Sequence, residues 1–418
     1  MDKLPTPSID LRKRLADYDS EALAVHLTRV GDCTLDRARR VARRALRWAF
    51  DRDDEGDVTW TDEALTEVGI GKWARPALLS LSPAPSMTIA ERAPSDDGTE
   101  RLLLKAEDGA VVEAVMIPAE AGRDHRRTTL CISSQVGCAR ACTFCETGTL
   151  GLTRQLTAGE IVDQFRVMRR LCRAADRPVD RRVTDPTRVT APADPPVVDK
   201  PGRRRRATEQ PVSNVVFMGM GEPMDNLAQV NRAIALMTDH HAFAFPPTRV
   251  TVSTVGVADR LEEFFGATRA ELAISLNAPD DARRTRIMPI NERFDLAELR
   301  RRLLSTIPTG RRVLFQYALF AGFNDALDDA DRLADYVAPV RCRVNVIPAN
   351  PGPDPTLVAP SPERVHAFVA RLKERGVTAL VRRPRGRDVG GACGQLAGSR
   401  RLVPIRSRGT QPREAEGS

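Results

Sequence analysis

Short apolar runs alternate with helix-like segments along the chain downstream of residue 129. The runs are rich in Val, Ile and Leu, whereas in Ala158–Leu171, Ala228–Met237 and Pro362–Arg375 the apolar residues recur at helical spacing. This alternation predicts an α/β fold with a parallel sheet, crossover helices and ligands at the carboxyl ends of the strands. The predicted strands are Thr129–Ser133, Asn214–Met218, Arg249–Ser253, Leu272–Leu276, Val313–Phe320, Arg343–Ile347 and Thr378–Val381.

A small helical domain is predicted for residues 1–80. From Leu35 onwards apolar residues recur at helical spacing, and the opposite side of this helix carries Arg40, Arg43, Arg44 and Arg47. The basic face is equally consistent with RNA binding and with a solvated amphipathic helix.

A β-hairpin extension is predicted at residues 81–124. The strand-like segments Arg101–Lys105 and Val111–Ile117 flank Asp108-Gly109, which is a strong turn signal. Glu113 lies inside the second strand, where an outward-facing glutamate is the usual explanation. A catalytic role for Glu113 therefore needs independent support.

The α/β core is predicted at residues 125–398, with one interruption. Residues 174–211 hold seven prolines and many charges and finish in Arg203–Arg206, so we expect a disordered insertion there. Residues 399–418 are polar and rich in arginine, which predicts a flexible basic tail.

Composition narrows the class of protein. Eight unevenly spaced cysteines and no signal-peptide pattern predict a reducing cytoplasm and argue against a disulfide framework. No apolar run approaches the roughly 20 residues that cross a bilayer, which excludes a membrane protein. The net charge is +8 and Arg dominates the cations, which favours phosphate and hence nucleic acid, with a solvated charged surface as the alternative.

The strongest candidate for a functional site is the cysteine-rich stretch Cys131–Cys145, C-I-S-S-Q-V-G-C-A-R-A-C-T-F-C. Cys138, Cys142 and Cys145 form a C-x3-C-x2-C pattern that can wrap one loop around a metal centre. Three ligands would leave one iron of a four-iron cluster open to a small molecule. Structural zinc needs four ligands, and no second cysteine pair or neighbouring histidine is present, so the spacing favours a cluster over zinc or ordinary buried thiols.

Four polar motifs fall at the predicted carboxyl ends of strands. The motif G-M-G-E-P at Gly219–Pro223 offers flexible backbone at Gly221 and a carboxylate at Glu222 that suits an ammonium group. Each motif alone is ordinary turn chemistry, and their shared position carries the argument. The other polar positions are Ser253, Ser275-Leu276-Asn277 and Asn350.

A lone thiol lies far downstream at Cys393, in G-G-A-C-G-Q-L-A-G. Small neighbours favour an accessible, reactive cysteine, although a fourth cluster ligand or an inert cysteine stays open from the residues alone. By contrast Cys33, Cys172 and Cys342 fall within helix or strand patterns and are interpreted as buried small hydrophobes.

Taken in order, seven motifs resemble the RlmN/Cfr family of radical S-adenosylmethionine RNA methyltransferases. The resemblance spans about residues 100–398 and implies a partial (β/α)6 barrel. The motifs are Cys131–Cys145, G-M-G-E-P, V-T-V-S-T, I-S-L-N-A-P, R-I-M-P-I-N, V-N-V-I-P-A-N-P and A-C-G-Q-L-A-G.

The resemblance also implies a role for each candidate residue. Cys393 would accept a methyl group, Cys131 would release the enzyme–RNA adduct by pairing with Cys393 in a disulfide, and Glu113 would act as general base. Cys138, Cys142 and Cys145 would hold a [4Fe-4S] cluster. Contacts to S-adenosylmethionine would come from Gly221, Glu222, Ser253, Ser275, Leu276, Asn277 and Asn350.

The implied activity is methylation of adenine C2 in 23S rRNA, with tRNA as a further substrate. Methylation at C8 of the same adenine and a catalytically inert RNA-binding iron–sulfur protein are the alternatives. The presence of Cys393, Cys131 and Glu113 together favours an enzyme over an inert binder. The expected partners are RNA and an electron donor such as flavodoxin or ferredoxin, and the expected state is a monomer.

Overall fold

The N-terminal domain is helical, as predicted. The structure is a computed structural model that describes residues 14–52, 58–119, 128–176 and 212–397. Within them the arginines of the predicted basic face, Arg40, Arg43, Arg44 and Arg47, are exposed. The helices of this domain are α1 (Ser20–Val30), α2 (Leu35–Asp51), α3 (Asp62–Glu67) and α4 (Arg75–Leu79).

The hairpin extension is an antiparallel meander that joins the edge of the main sheet. Its strands are β1 (Thr88–Pro94), β2 (Glu100–Lys105) and β3 (Val111–Pro118), and β3 pairs with the first core strand, β4 (Thr128–Cys131). Gly109 adopts φ +85° in the turn between β2 and β3. The predicted hairpin is confirmed, whereas β1 was not predicted.

The core is a parallel sheet built from strand–helix units. After β4 the chain forms a separate antiparallel pair, β5 (Gln135–Cys138) and β6 (Gly151–Gln155), and then returns to the sheet. The remaining core elements are α5 (Ala158–Asp176), β7 (Val212–Phe217), α6 (Leu227–Thr238), β8 (Val250–Thr254), α7 (Leu261–Ala267), β9 (Glu271–Ser275), α8 (Asp281–Ile287), α9 (Leu296–Thr306), β10 (Val313–Leu319), α10 (Leu327–Val337), β11 (Cys342–Pro348), α11 (Pro362–Glu374) and β12 (Ala379–Val381).

The strand order is β1-β2-β3-β4-β7-β8-β9-β10-β11-β12, and every neighbouring pair from β4 to β12 is parallel. All seven strands predicted for the core are present within a few residues of their predicted bounds, which confirms the α/β class. Because all seven run in the same direction, their carboxyl ends meet at one edge of the sheet.

The predicted insertion begins inside a helix, because α5 continues to Asp176. Residues 177–211 of that stretch, and the tail from residue 398, lie outside the described residues. None of the helices in the described ranges combines the length and apolarity needed to cross a membrane.

An aromatic cluster joins the helical domain to the core. The ring of Phe50, in α2, lies 4.6 Å from that of Phe243, which lies 5.1 Å from that of Phe165 in α5. Next to this cluster the buried guanidinium of Arg166 pairs with Asp163 at 2.9 Å and donates to the carbonyl of Pro83. The two domains therefore share one core.

Candidate functional site

The cysteine loop connects β5 to β6 and is closed by its own backbone. The amide of Cys145 donates to the carbonyl of Cys142 at 3.1 Å, and the amide of Gly148 donates to the carbonyl of Cys145 at 3.0 Å. At the base of the loop Gly137 adopts φ +80°, and a Cβ there would collide with the carbonyl of Gly151. Only glycine allows the two strands to approach so closely.

Of the three thiols of this loop, that of Cys142 is buried and those of Cys138 and Cys145 are half-buried. Burial raises the pKa of Cys138 to about 12 and that of Cys142 well above its ordinary value, and the neighbouring Cys145 adds to the rise at both thiols. Burial also raises the pKa of Cys145. Across the described ranges, no three His, Cys, Asp or Glu side chains are positioned to hold a metal ion.

Glu222 faces the cysteine loop from the end of β7. Its two carboxylate oxygens accept hydrogen bonds from the amides of Met224 at 3.0 Å and Val255 at 2.8 Å. Burial raises its pKa to about 7, and these hydrogen bonds oppose the rise. Gly221 adopts φ +98°, and a Cβ there would lie 2.5 Å from that of Gln135. The G-M-G-E-P segment is therefore fixed tightly against β5.

The ends of β8 and β9 meet the middle of β10 at Gln316, a residue that was not predicted from the sequence. The hydroxyl of Ser253 lies 3.4 Å from Gln316 Oε1, and the amide of Leu276 donates to the Gln316 carbonyl at 2.9 Å. Ser275 pairs with Gln316 across the sheet. The predicted positions Ser253, Ser275 and Leu276 therefore come together as expected from their strand ends.

Asn277 is the most constrained of the predicted cofactor contacts. It is buried and adopts φ +59°, a region that favours glycine. Its side-chain oxygen accepts a hydrogen bond from the amide of Ala318 at 2.9 Å, and its carbonyl accepts one from Asn324 at 2.8 Å. In this structure Asn277 therefore locks the turn after β9 against the end of β10.

The segment 389–397, which we call the Cys393 loop, lies against the cysteine loop. Asn350 donates to the carbonyl of Cys393 at 3.0 Å, which brings the last of the predicted strand-end residues to this loop. The amide of Glu146 donates to the carbonyl of Gly394 at 2.8 Å, and the hydroxyl of Thr147 donates to that of Leu396 at 2.7 Å. The thiol of Cys393 is exposed, and it lies near enough to Cys131 and Cys145 to contribute to the raised pKa of both.

Glu113 supports the Cys393 loop from the hairpin extension. Its carboxylate accepts a hydrogen bond from the amide of Ala397 at 2.6 Å and pairs with Arg101 at 2.6 Å. Arg101 in turn donates to the carbonyl of Val389 at 2.8 Å, so the ion pair holds both ends of the loop. Glu113 is 0% exposed, so the usual explanation of an outward-facing strand glutamate is wrong.

Cys131 is the last residue of β4 and lies close to the Cys393 loop. It is buried, and burial together with the charge of Cys393 raises its pKa to about 12. All eight cysteines are free, so no disulfide joins Cys131 to Cys393. Cys33, Cys172 and Cys342 are half-buried against the core rather than fully buried.

The chain is similar to proteins of known class along most of its length. It is 56% identical over 392 residues to the probable RNA methyltransferase sce1580 of Sorangium cellulosum, covering 94% of this chain and 89% of the relative. It is 42% identical over 322 residues to the dual-specificity RNA methyltransferase RlmN of an Anaeromyxobacter species, covering 76% of this chain and 77% of the relative. No protein-family model matches the chain.

A solved structure gives the same result for the fold. The crystal structure of a radical SAM methyltransferase from Sphaerobacter thermophilus superposes with a TM-score of 0.71 at 33% identity, covering 92% of this chain and 99% of that one. The parallel sheet, with the cysteine loop and the Cys393 loop at its carboxyl edge, defines a radical S-adenosylmethionine methyltransferase. Within that class the chain belongs to the RlmN/Cfr family.

Proposed function

We propose that the protein methylates C2 of adenine in 23S rRNA, and in tRNA as a second substrate, through a methylated Cys393. The observation that carries the proposal is the contact between the Cys393 loop and the cysteine loop, through Glu146 to Gly394 and Thr147 to Leu396. A methyl carrier must reach the cofactor, and this contact brings the exposed Cys393 thiol to that side of the site. The names of the relatives, which describe RNA methyltransferases, support an RNA substrate.

The side chains at the site indicate which cofactors the protein would bind. Cys138, Cys142 and Cys145 would hold a [4Fe-4S] cluster, because three partly or fully buried thiols on one short loop are the ligands that such clusters use. When bound, the cluster and S-adenosylmethionine would supply the methyl group and the radical that activates it. The contacts to S-adenosylmethionine would come from Gly221, Glu222, Ser253, Ser275, Leu276, Asn277 and Asn350, which line the carboxyl ends of the strands.

Glu113 and Cys131 would act after the base is attached to Cys393. Glu113 would take the ring proton as general base, and Cys131 would form a disulfide with Cys393 that releases the methylated RNA. In the closed arrangement Glu113 accepts from Ala397 and pairs with Arg101, so the loop has to leave before the carboxylate can reach a nucleotide. Release of the Cys393 loop would then expose the Glu113 carboxylate in the same movement.

The experiment is anaerobic incubation of reconstituted protein with S-adenosylmethionine, a reductant and unmodified 23S rRNA or tRNA, followed by nucleoside mass spectrometry. We expect 2-methyladenosine from both RNAs. A product of 8-methyladenosine would show that the protein methylates C8 of adenine rather than C2. Cofactor cleavage without any methylated adenosine would overturn the proposed substrate, and a product from one RNA alone would restrict it. A cytoplasmic location, a flavodoxin or ferredoxin as electron donor and a monomeric state belong to the same proposal.

A further inference from the structure

A positive charge is buried behind the cysteine loop. Arg284 lies in α8 with 0% of its surface exposed. Its guanidinium donates to the carbonyl of Val255 at 2.7 Å, to Oδ1 of Asn291 at 2.8 Å and to the carbonyl of Leu276 at 3.2 Å. All of these acceptors are neutral. Among the described residues no carboxylate forms an ion pair with Arg284.

An uncompensated charge at this depth is costly. Burial lowers the pKa of Arg284, which reflects the penalty of holding a cation away from water. Asp281, the carboxylate whose charge acts on Arg284, is hydrogen-bonded elsewhere: it accepts from Asn291 Nδ2 at 3.0 Å and from the amide of Leu296 at 2.8 Å. Hydrogen bonds to neutral oxygens orient the guanidinium but leave its charge in place.

The surroundings of Arg284 point to the missing negative charge. The helix that carries it touches the cysteine loop, because the amide of Thr143 donates to the carbonyl of Ile287 at 3.1 Å. The charge of Arg284 also affects the Cys142 thiol. The carbonyls of Val255 and Leu276, which it binds, directly follow β8 and β9 at the proposed cofactor face. Arg284 and its helix therefore contact both the cysteine loop and the strand ends that carry the proposed cofactor contacts.

We propose that Arg284 is the buried counter-charge of the iron–sulfur cluster and a positioning residue for the strand ends that bind its cofactor. The assignment rests on the proposed function, because it needs a cluster on Cys138, Cys142 and Cys145. A [4Fe-4S]2+ core with three thiolate ligands carries one net negative charge, and this charge would offset the guanidinium. A fixed nearby cation also stabilises the reduced, more negative cluster, so Arg284 raises its reduction potential.

The test compares the reconstituted full chain with its Arg284→Gln variant under anaerobic conditions. Iron and sulfide content are measured first, and the midpoint potential is then measured by a redox titration monitored by electron paramagnetic resonance. We expect the reduction equilibrium of the variant to shift about tenfold toward the oxidised cluster, which is about 59 mV lower for one electron. We also expect faster loss of iron on dialysis.

The neighbouring arginine provides a matched control. Arg283 sits in the same helix and pairs with Asp329 at 2.6 Å and with Asp280 at 2.7 Å, but its side chain is 25% exposed, so solvent screens the charges that its removal would leave. Arg283→Gln should leave the potential unchanged. Arg284→Lys keeps the charge but not the fork of donors, so the potential should stay near that of the unmodified chain although the protein is less stable.

The possible results separate the counter-charge role of Arg284 from the proposed function of the protein. A cluster with the same potential in Arg284→Gln as in the unmodified chain overturns the counter-charge and leaves the proposed function intact. If Arg284→Gln does not fold, Arg284→Met removes the same charge with an unbranched apolar side chain, and an unaltered potential there overturns the proposal equally. Absence of a cluster from the unmodified chain overturns the proposed function, and this assignment with it.

Discussion

The two loops that meet at the carboxyl edge of the sheet are held in different ways. The cysteine loop is closed by hydrogen bonds within residues 142–148, and its base depends on the close approach of Gly137 to Gly151. The Cys393 loop is held instead by distant parts of the chain, through Glu113 and Asn350. The cysteine loop closes through hydrogen bonds of its own backbone, whereas the position of the Cys393 loop depends on side chains from distant parts of the chain.

This difference suits the two proposed tasks. The cofactor side has to keep its geometry through every turnover, and buried thiols on a tight turn resist movement. The methyl-carrying side has to approach the cofactor and then present Cys393 to RNA, so a loop held by a few side-chain contacts can be released.

The largest effect is expected for Cys138→Ser. Removing one of three proposed ligands should abolish cluster binding and reduce RNA methylation to background, since no step can start without the cofactor pair. Iron content, visible absorbance and methylation measured on one preparation check this. Cys342→Ser is the matched control, because Cys342 is half-buried in β11 away from the site and should keep both cluster and activity. An unchanged iron content in Cys138→Ser would contradict the ligand assignment.

Cys393→Ala should remove the function of the Cys393 loop and leave that of the cysteine loop. Because Cys393 is exposed and its loop is held by backbone and Glu113 contacts, the substitution should leave the cluster and cleavage of S-adenosylmethionine intact. Methylation of RNA should fall to background, since the carrier of the methyl group is lost. Nucleoside mass spectrometry and an assay of 5′-deoxyadenosine measure the two outcomes separately. Full methylation by the variant would refute the role of Cys393.

The same contrast explains what could be predicted from the sequence. The seven core strands were predictable because each is a short apolar run between polar turns, and a parallel order follows from the helices between them. The cysteine loop was predictable because its three thiols are neighbours in sequence. β1 and the β5–β6 pair were missed, since β1 is mostly exposed and the pair is short and interrupted by glycines.

The contacts that place the Cys393 loop could not be read from the sequence. Arg101 and Val389 are 288 positions apart, and no local pattern predicts that they meet. The burial of Glu113 was missed for a related reason, because a single carboxylate among apolar neighbours looks the same whether or not a distant arginine pairs with it. Gln316 and Arg284 carried no motif of their own. A charged or amide side chain inside or beside a strongly apolar strand is the signal that could have singled out Gln316.

Arg101→Gln tests the releasable side directly. Breaking a buried ion pair by removing one partner costs about 3 kcal/mol, because Glu113 is then left buried without its counter-charge. The loop should open more often, so hydrogen exchange of the 389–397 segment should be about a hundredfold faster. RNA methylation should fall, whereas cluster content should not change.

Arg92→Gln is the control for this experiment. Arg92 pairs with Glu100 in the same hairpin extension but is largely exposed, so its loss should leave exchange in the Cys393 loop unaltered. If Arg101→Gln and Arg92→Gln gave the same exchange rates, the ion pair would not hold the loop. A loss of cluster in Arg101→Gln would show instead that the two loops are not independent.

The smallest effect is expected at the outer attachment of the Cys393 loop. Asp97 accepts a hydrogen bond from the amide of Gly386 at 3.0 Å and from Arg385 at 2.9 Å, just before the loop begins. Asp97→Asn should weaken this attachment by about 0.5–1 kcal/mol, because the carboxylate is partly exposed and screened. Exchange near residue 386 should then rise severalfold. Asp96→Asn removes the same charge one residue away and should have no such effect.

The pH dependence of that attachment gives a second check with a defined sign. Burial opposes ionisation of Asp97, but hydrogen bonds from Thr99 and Gly386 outweigh it and hold its pKa below the ordinary 3.8. A carboxyl group with a lowered pKa in the folded protein stabilises it fully above the ordinary value, and the contribution is lost as the pH falls below it. The difference in exchange between the unmodified chain and Asp97→Asn should therefore be present at neutral pH and shrink in acid. A difference that grows in acid would mean that the Asp97 carboxylate does not hold the segment leading into the Cys393 loop.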